Sequence, residues 1–312
     1  MSAPAPLAAP PRGAYSDLPE LIRLRHGARD LKLRRQRQAF SLLVGPHQTR
    51  FRGRGIEFEE VRLHQAGDDI RSIDWRVTAR TGKPHTKLFR EERERPVLLL
   101  VDQGLSMFFG SRTCCKSVTA AHIAALLAWA ALQGNDRVGG LVCNDTDHVE
   151  VRPKRQTRTV LELLSNIHRF NRLLRRQPVP DATGLNRALE ELRRITRPGS
   201  NLFLISDFQG FGAAGEKHLF QLSRHNDISA IQVYDPLEQQ LPPAGAYSIT
   251  DGRDRSLLLT GDQAMRRRFQ QNFASKTALL KERLGSMGIP LLQVSTVDAP
   301  LYYFRNLLGR RK

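Results

Sequence analysis

The chain has 312 residues, of which 40% are hydrophobic and 26% charged, enough apolar material for a packed core and too much for a disordered chain. Forty-nine Lys and Arg against thirty-one Asp and Glu leave a formal net charge of +18, which favours acidic partners: phosphate, anionic lipid or an acidic protein face. Three cysteines, Cys114, Cys115 and Cys143, exclude a disulfide framework, suit a reducing compartment and make the cytoplasm the expected location.

Residues 1–17 are rich in Ala and Pro and lack a basic segment followed by an apolar run, so a disordered tail is expected there. From Leu18 to Leu43, leucines at helical spacing lie among Arg23, Arg25, Arg29, Arg34, Arg35 and Arg37, the pattern of a basic helix or helix pair. Ile56 to Trp75 holds Glu57, Gly67, Asp68, Asp69, Arg71, Asp74 and Trp75 and reads as short strands and turns. Residues 18–95 thus form an expected N-terminal subdomain. In it Arg71, Arg76 and Arg80 would pair with the carboxylates and Trp75 would anchor packing.

At Pro96 the texture changes. Val97–Val101 is an unbroken apolar run ending in Asp102, the mark of a strand covered on both faces. A helix follows over about 115–133, then a strand pair (138–143 and 148–151) joined by a polar turn at Asn144 to Asp147, helices near 157–170 and 184–195, and a second buried strand, 201–207, ending in Asp207. A helix near 217–224, a strand over 228–233, a hairpin (247–250 with 256–260), a long helix over about 263–284 and a last strand, 290–295, complete the series. No apolar stretch is long enough to cross a membrane, which leaves peripheral membrane contact open. The alternation predicts an α/β domain over 96–299, a doubly wound, mostly parallel sheet with helices on both faces, and leaves 300–312 as a basic tail. Ligands of such sheets bind outside the carboxyl ends of the strands.

Three segments converge on that edge: Asp102 to Ser106, Asp181 to Gly184, and Ser206-Asp207. Two carboxylates, two hydroxyls and waters form an all-oxygen set of the kind Mg²⁺ prefers. The arrangement resembles the metal-ion-dependent adhesion site of von Willebrand A domains. The Gly67-Asp68-Asp69-Ile70-Arg71-Ser72-Ile73-Asp74-Trp75 block, then Ala79-Arg80, then Phe89 to Arg93 directly before the strand, resembles domain-of-unknown-function family 58, von Willebrand A-like proteins that accompany MoxR-type AAA+ ATPases. The resemblance covers about residues 18–308. It implies metal ligands at Asp102, Ser106, Thr183 and Asp207, and an adaptor that helps an ATPase remodel or load a client protein. Gly104 stands where the adhesion site has its first serine and supplies no side-chain oxygen. Two readings therefore stand: a weakened Mg²⁺ site with water in that place, or a vestige in which Ser106 and Thr183 cap helices while the aspartates hold loop amides.

Other chemistries have thinner support. Asp68, Asp69 and Asp74 are candidates for a metal-dependent hydrolase cluster. Ser106 lacks a nucleophile elbow, the thiols read as small core residues, and no zinc, ATP or dinucleotide motif is present. The chain is therefore read as a non-enzymatic binding protein. The rival is a charge-driven nucleic-acid binder using clusters such as Arg152 to Arg158, Arg169 to Arg176, Arg266 to Arg268 and Arg310 to Lys312, although aromatics for base stacking are sparse there, apart from Phe170.

Overall fold

The computed structural model describes residues 9–31, 33, 57–65, 70, 73–90, 96–173, 183–250 and 255–308. The chain forms two compact units, one of residues 49–95 and one of the rest.

The larger unit is built on six strands: β3 (Pro96–Asp102), β4 (Arg137–Cys143), β5 (His148–Lys154), β6 (Asn201–Ser206), β7 (Asp227–Tyr234) and β10 (Leu291–Ser295). Their order is β10-β7-β6-β3-β4-β5, all parallel except β5, which pairs antiparallel with β4. This is the expected doubly wound, mostly parallel sheet with helices on both faces. Alternation within β3 explains its burial: Val97, Leu99 and Val101 enter one core and Leu98 and Leu100 the other. Helices α3 (Lys116–Gln133) and α4 (Thr157–Leu173) contribute to the first core. Helices α5 (Gly184–Ile195), α6 (Ala213–Ser223) and α8 (Gln263–Ser286) contribute to the second. In α3 every residue from Lys116 to Ala131 is buried, and its many alanines let neighbouring elements approach closely. A four-residue turn of helix, α7 (Pro236–Gln239), follows β7, and β8 (Ala246–Thr250) pairs antiparallel with β9 (Arg255–Leu259) in the expected hairpin.

The domain boundaries differ from the sequence expectation at both ends. Helix α1 (Leu18–Gly27) belongs to the larger unit: Leu21 and Leu24 enter its first core, and the Trp129 indole N–H donates to Leu21 O at 3.1 Å. Residues 300–308 form α9 rather than a tail, with Leu301, Phe304 and Leu308 buried in the same core. The two helices meet so closely that a Cβ on Gly27 would lie 2.7 Å from Leu301 Cδ2. Amphipathic leucines among arginines report that a helix has a buried face, not which domain covers it. The expected tail is also partly fixed: Gly13 N–H donates to Thr113 O at 2.9 Å, and Ser16 N–H to Asn171 Oδ1 at 2.7 Å. Residues 1–8, 34–56 and 309–312 of these expected segments lie outside the described residues.

The smaller unit pairs β1 (Glu57–Leu63) with β2 (His85–Arg90) antiparallel, with an irregular register between Phe58 and Glu60. Between them lies α2 (Trp75–Thr81). Asp74 caps it, its Oδ1 accepting from Arg76 N–H at 3.0 Å and Val77 N–H at 3.2 Å, and Gly82 closes it at φ +69°.

Candidate functional site

The sheet order makes the carboxyl ends of β3 and β6 neighbours at the point where connections turn to opposite sides of the sheet, the usual ligand position in such folds. Asp102 ends β3 and is buried. Its Oδ1 accepts from Gly104 N–H at 2.8 Å and its Oδ2 from the Ser206 hydroxyl at 2.6 Å. Ser206 Oγ in turn accepts from Phe208 N–H at 2.9 Å. Phe208 itself holds φ +59°, a left-handed conformation that side chains avoid. Asp207 Oδ1 accepts from Gln209 N–H at 3.0 Å. Both aspartates therefore hold loop amides.

Electrostatics divides the two carboxylates. Burial, and then the negative charge of Asp207, push the Asp102 pKa up to about 7, with Asp145 adding to the rise; Ser206 and Gly104 pull against it. Asp207 instead meets a cation: the Lys116 ammonium lies 2.7 Å from its Oδ2 and 2.6 Å from Glu238 Oε1, with the lysine side chain fully buried. Burial works to lower the Lys116 pKa, and the attraction and hydrogen bonds of Asp207 and Glu238 outweigh it, leaving it raised.

Asp145, in the β4–β5 turn, stands beside Gly104. Its Oδ2 accepts from Leu105 N–H at 2.7 Å, and a Cβ on Gly104 would lie 2.9 Å from its Oδ1 and 3.1 Å from Asp102 Oδ1. The space of the absent serine is thus bounded by two carboxylates. Arg187 of α5 donates to the Asp145 carbonyl, and Asn186 ties α5 to the β6 loop through Gly210 O at 2.9 Å and Gly212 N–H at 3.3 Å.

Of the residues carried over as ligands, the structure makes electrostatic neighbours of Asp102 and Asp207. Ser106 sits half-buried within the 3₁₀ turn Leu105–Met107 rather than at a cap. Thr183 is exposed at the N-terminus of α5 and makes no side-chain cap bond, contrary to the capping expectation. The residues present do not fit a Mg²⁺ ion. Gly104 offers no oxygen, a serine there would crowd two carboxylates, and Asp207 is already neutralised by an ammonium. Among the described residues no group of three or more His, Cys, Asp or Glu is arranged to hold a metal. Sequence reasoning missed Lys116, Asp145, Glu238 and Arg187. Lys116 alone carried a signal, as the one Lys or Arg in a helix that is otherwise mostly apolar.

The remaining candidates settle into structural roles or fall outside view. Gly67, Asp68, Asp69 and Arg71 are outside the described residues, and Glu57 lies in β1. Asp74 is a helix cap. Trp75 is 66% exposed, so it is not the packing anchor expected of it: it opens a short helix whose half-buried side carries Val77 and Thr78. Arg76 and Arg80 are exposed on the same helix. Burial raises the pKa of all three thiols, that of Cys115 to about 11, so none is poised as a thiolate at neutral pH. Phe170 is fully buried under the Arg169 guanidinium and presents no face to a base.

Known proteins bear on this geometry. The model of the family "Protein of unknown function DUF58" matches residues 60–279. Uncharacterized protein Rv1480 of Mycobacterium tuberculosis and uncharacterized protein Mb1516 of Mycobacterium bovis are each 30% identical over 272 residues, spanning 86% of this chain and 83% of theirs. Among solved structures, the conserved hypothetical protein BatB from Bacteroides thetaiotaomicron is similar over 68% of this chain and 96% of its own, at 13% identity and a TM-score of 0.40. The SpRpn10 VWA domain is similar over 69% and 95%, at 14% identity and a TM-score of 0.33. With both the family model and 30% identical relatives covering most of its length, the chain belongs to the DUF58 family of proteins of unknown function.

Proposed function

We propose that the chain is a non-enzymatic adaptor that docks on a MoxR-type AAA+ ATPase in the cytoplasm and helps it remodel, activate or assemble a client protein. The observation that carries the docking reading is the locking of three separate loops into one fixed edge. Asp145 holds Leu105 N–H, Ser206 holds Asp102, and Asn186 holds the loop through Gly210 and Gly212. Beside this frame Phe109 is 41% exposed and Phe211 half-buried, apolar area that a partner can cover. A surface fixed before contact loses little entropy on binding, which suits recognition. The raised thiol pKa values and the committed hydrogen bonds of the strand-end carboxylates support binding over catalysis. The ATPase as partner rests on the resemblance carried by the Gly67 to Trp75 block, and the +18 charge supports an acidic partner face.

Gel filtration of the full chain with a purified MoxR-type ATPase from the same cell, with and without nucleotide, tests this reading. Co-elution that Phe109→Arg abolishes is expected. Absence of a complex in every nucleotide state overturns it, and steeply salt-dependent retention on nucleic acid in its place would favour the charge-driven alternative.

A further inference from the structure

The Lys116 side chain is fully buried, and two acidic oxygens from distant parts of the chain close on its nitrogen. Asp207 follows β6; Glu238 lies in α7, where its other oxygen accepts from Asp235 N–H at 2.9 Å. Asp235 is itself buried, and its Oδ2 accepts from Ser111 N–H at 2.9 Å and the Thr296 hydroxyl at 2.6 Å. The ammonium therefore ties the start of α3 to the ends of β6 and β7 and, through Asp235, to the loops at Ser111 and Thr296. A dry interior retains such a charge only with close carboxylate partners and satisfied hydrogen bonds, and both are present.

A divalent ion has no good place beside it. Mg–O contacts are about 2.1 Å, so an ion on the Asp207 oxygen that Lys116 holds would lie no farther than about 4.8 Å from the ammonium, with little water between to screen the repulsion. The other Asp207 oxygen already takes the Gln209 N–H, and both Asp102 oxygens take donors from the chain. We infer that the strand-end site is a metal-independent form of the adhesion-site arrangement, in which the Lys116 ammonium is the built-in counter-ion that fixes the loops. This holds whether or not the chain is an adaptor, because it concerns how the edge is held together.

The full chain, stripped with chelator, is titrated with Mn²⁺ while free Mn²⁺ is followed by its paramagnetic resonance signal, and melted in EDTA and in millimolar Mg²⁺. The native chain is expected to show no saturable Mn²⁺ binding and no shift in Tm. Lys116→Met, which leaves Asp207 and Glu238 without their cation, is expected to melt earlier, to gain Mn²⁺ binding and to recover part of its Tm in Mg²⁺. Saturable binding to the native chain that Asp102→Ala removes overturns the inference. Silence of both proteins also overturns it, since the lysine would then not be what stands in for the ion. If Lys116→Met does not fold, hydrogen exchange of the Gly104 and Gln209 amides in the native chain decides. Equal protection in EDTA and Mg²⁺ supports the inference, and protection that rises with Mg²⁺ overturns it.

Discussion

The Lys116 ammonium lies 2.7 Å from Asp207 Oδ2, and neither side chain is more than 4% exposed. Breaking a buried pair by removing one partner leaves the other charge uncompensated, a cost of roughly 3–5 kcal/mol. Because Glu238 still holds the ammonium at 2.6 Å, Asp207→Ala is expected to lose part of that, about 2–3 kcal/mol, in denaturant unfolding. A loss below about 1 kcal/mol, the size of an exposed ion pair, would show that the pair is solvated.

Gly104 is confined rather than free. Gly104→Ser restores the adhesion-site residue yet brings its Cβ to 2.9 Å from Asp145 Oδ1, and Asp145 cannot swing away without releasing Leu105 N–H. A destabilisation of ~1–3 kcal/mol is expected. Adding Asp145→Ser should relieve part of it, giving a coupling above about 0.5 kcal/mol in a double-mutant cycle. Simple additivity would mean that the two side chains do not compete.

Asp102 and His122 make opposite contributions to pH dependence. Burial, then the charge of Asp207, raise the Asp102 pKa from 3.8 to about 7. The fold is therefore not penalised below pH 3.8, is progressively penalised as pH rises, and carries the full cost above about 7, on the order of 4 kcal/mol. Burial lowers the pKa of His122 from 6.5 to about 4; its Nε2 has no hydrogen-bond partner among the described residues and lies 3.9 Å from Glu20 Oε2. Its neutral form supports the fold above pH 6.5, and that support, on the order of 3 kcal/mol, is lost as pH falls towards 4. The stability of Asp102→Asn relative to the native chain should thus climb between pH 4 and 7, and that of His122→Gln should climb as pH falls from 6.5 to 4. Parallel stability curves for native and variant chains would refute these assignments.

Helix α1 is held by its leucines and by one indole hydrogen bond. Leu21→Ala is expected to cost about 2–5 kcal/mol and Trp129→Phe about 1 kcal/mol. Both should speed proteolysis within residues 9–31. If cleavage there is unchanged, α1 does not depend on these contacts.

Asp74→Ala removes the cap of α2, at about 1 kcal/mol of local stability. Faster exchange of the Arg76 and Val77 amides is the expected readout. Unchanged exchange would reopen Asp74 as a residue held for chemistry.

Much of this was legible in the chain. The apolar runs ending in Asp102 and Asp207 gave away two buried parallel strands and placed both carboxylates at the ligand-binding edge. The polar stretch Asn144 to Asp147 marked the turn into the antiparallel strand. Apolar runs, turn residues and helical spacing are local consequences of burial, so a sequence displays them directly. Gly104 likewise announced a missing ligand oxygen. What stands against the carboxylates was decided by tertiary structure alone. Strand order brings Lys116 to Asp207 and Glu238, ninety-one and 122 positions away, and sets Asp145 forty-one positions on against Gly104. Nothing local marks a charge that will be buried, because its partners are chosen by which strand ends become neighbours. The same reason moved α1 and α9 into the larger unit: periodicity reveals that a helix has a face to bury, and only packing reveals what covers it.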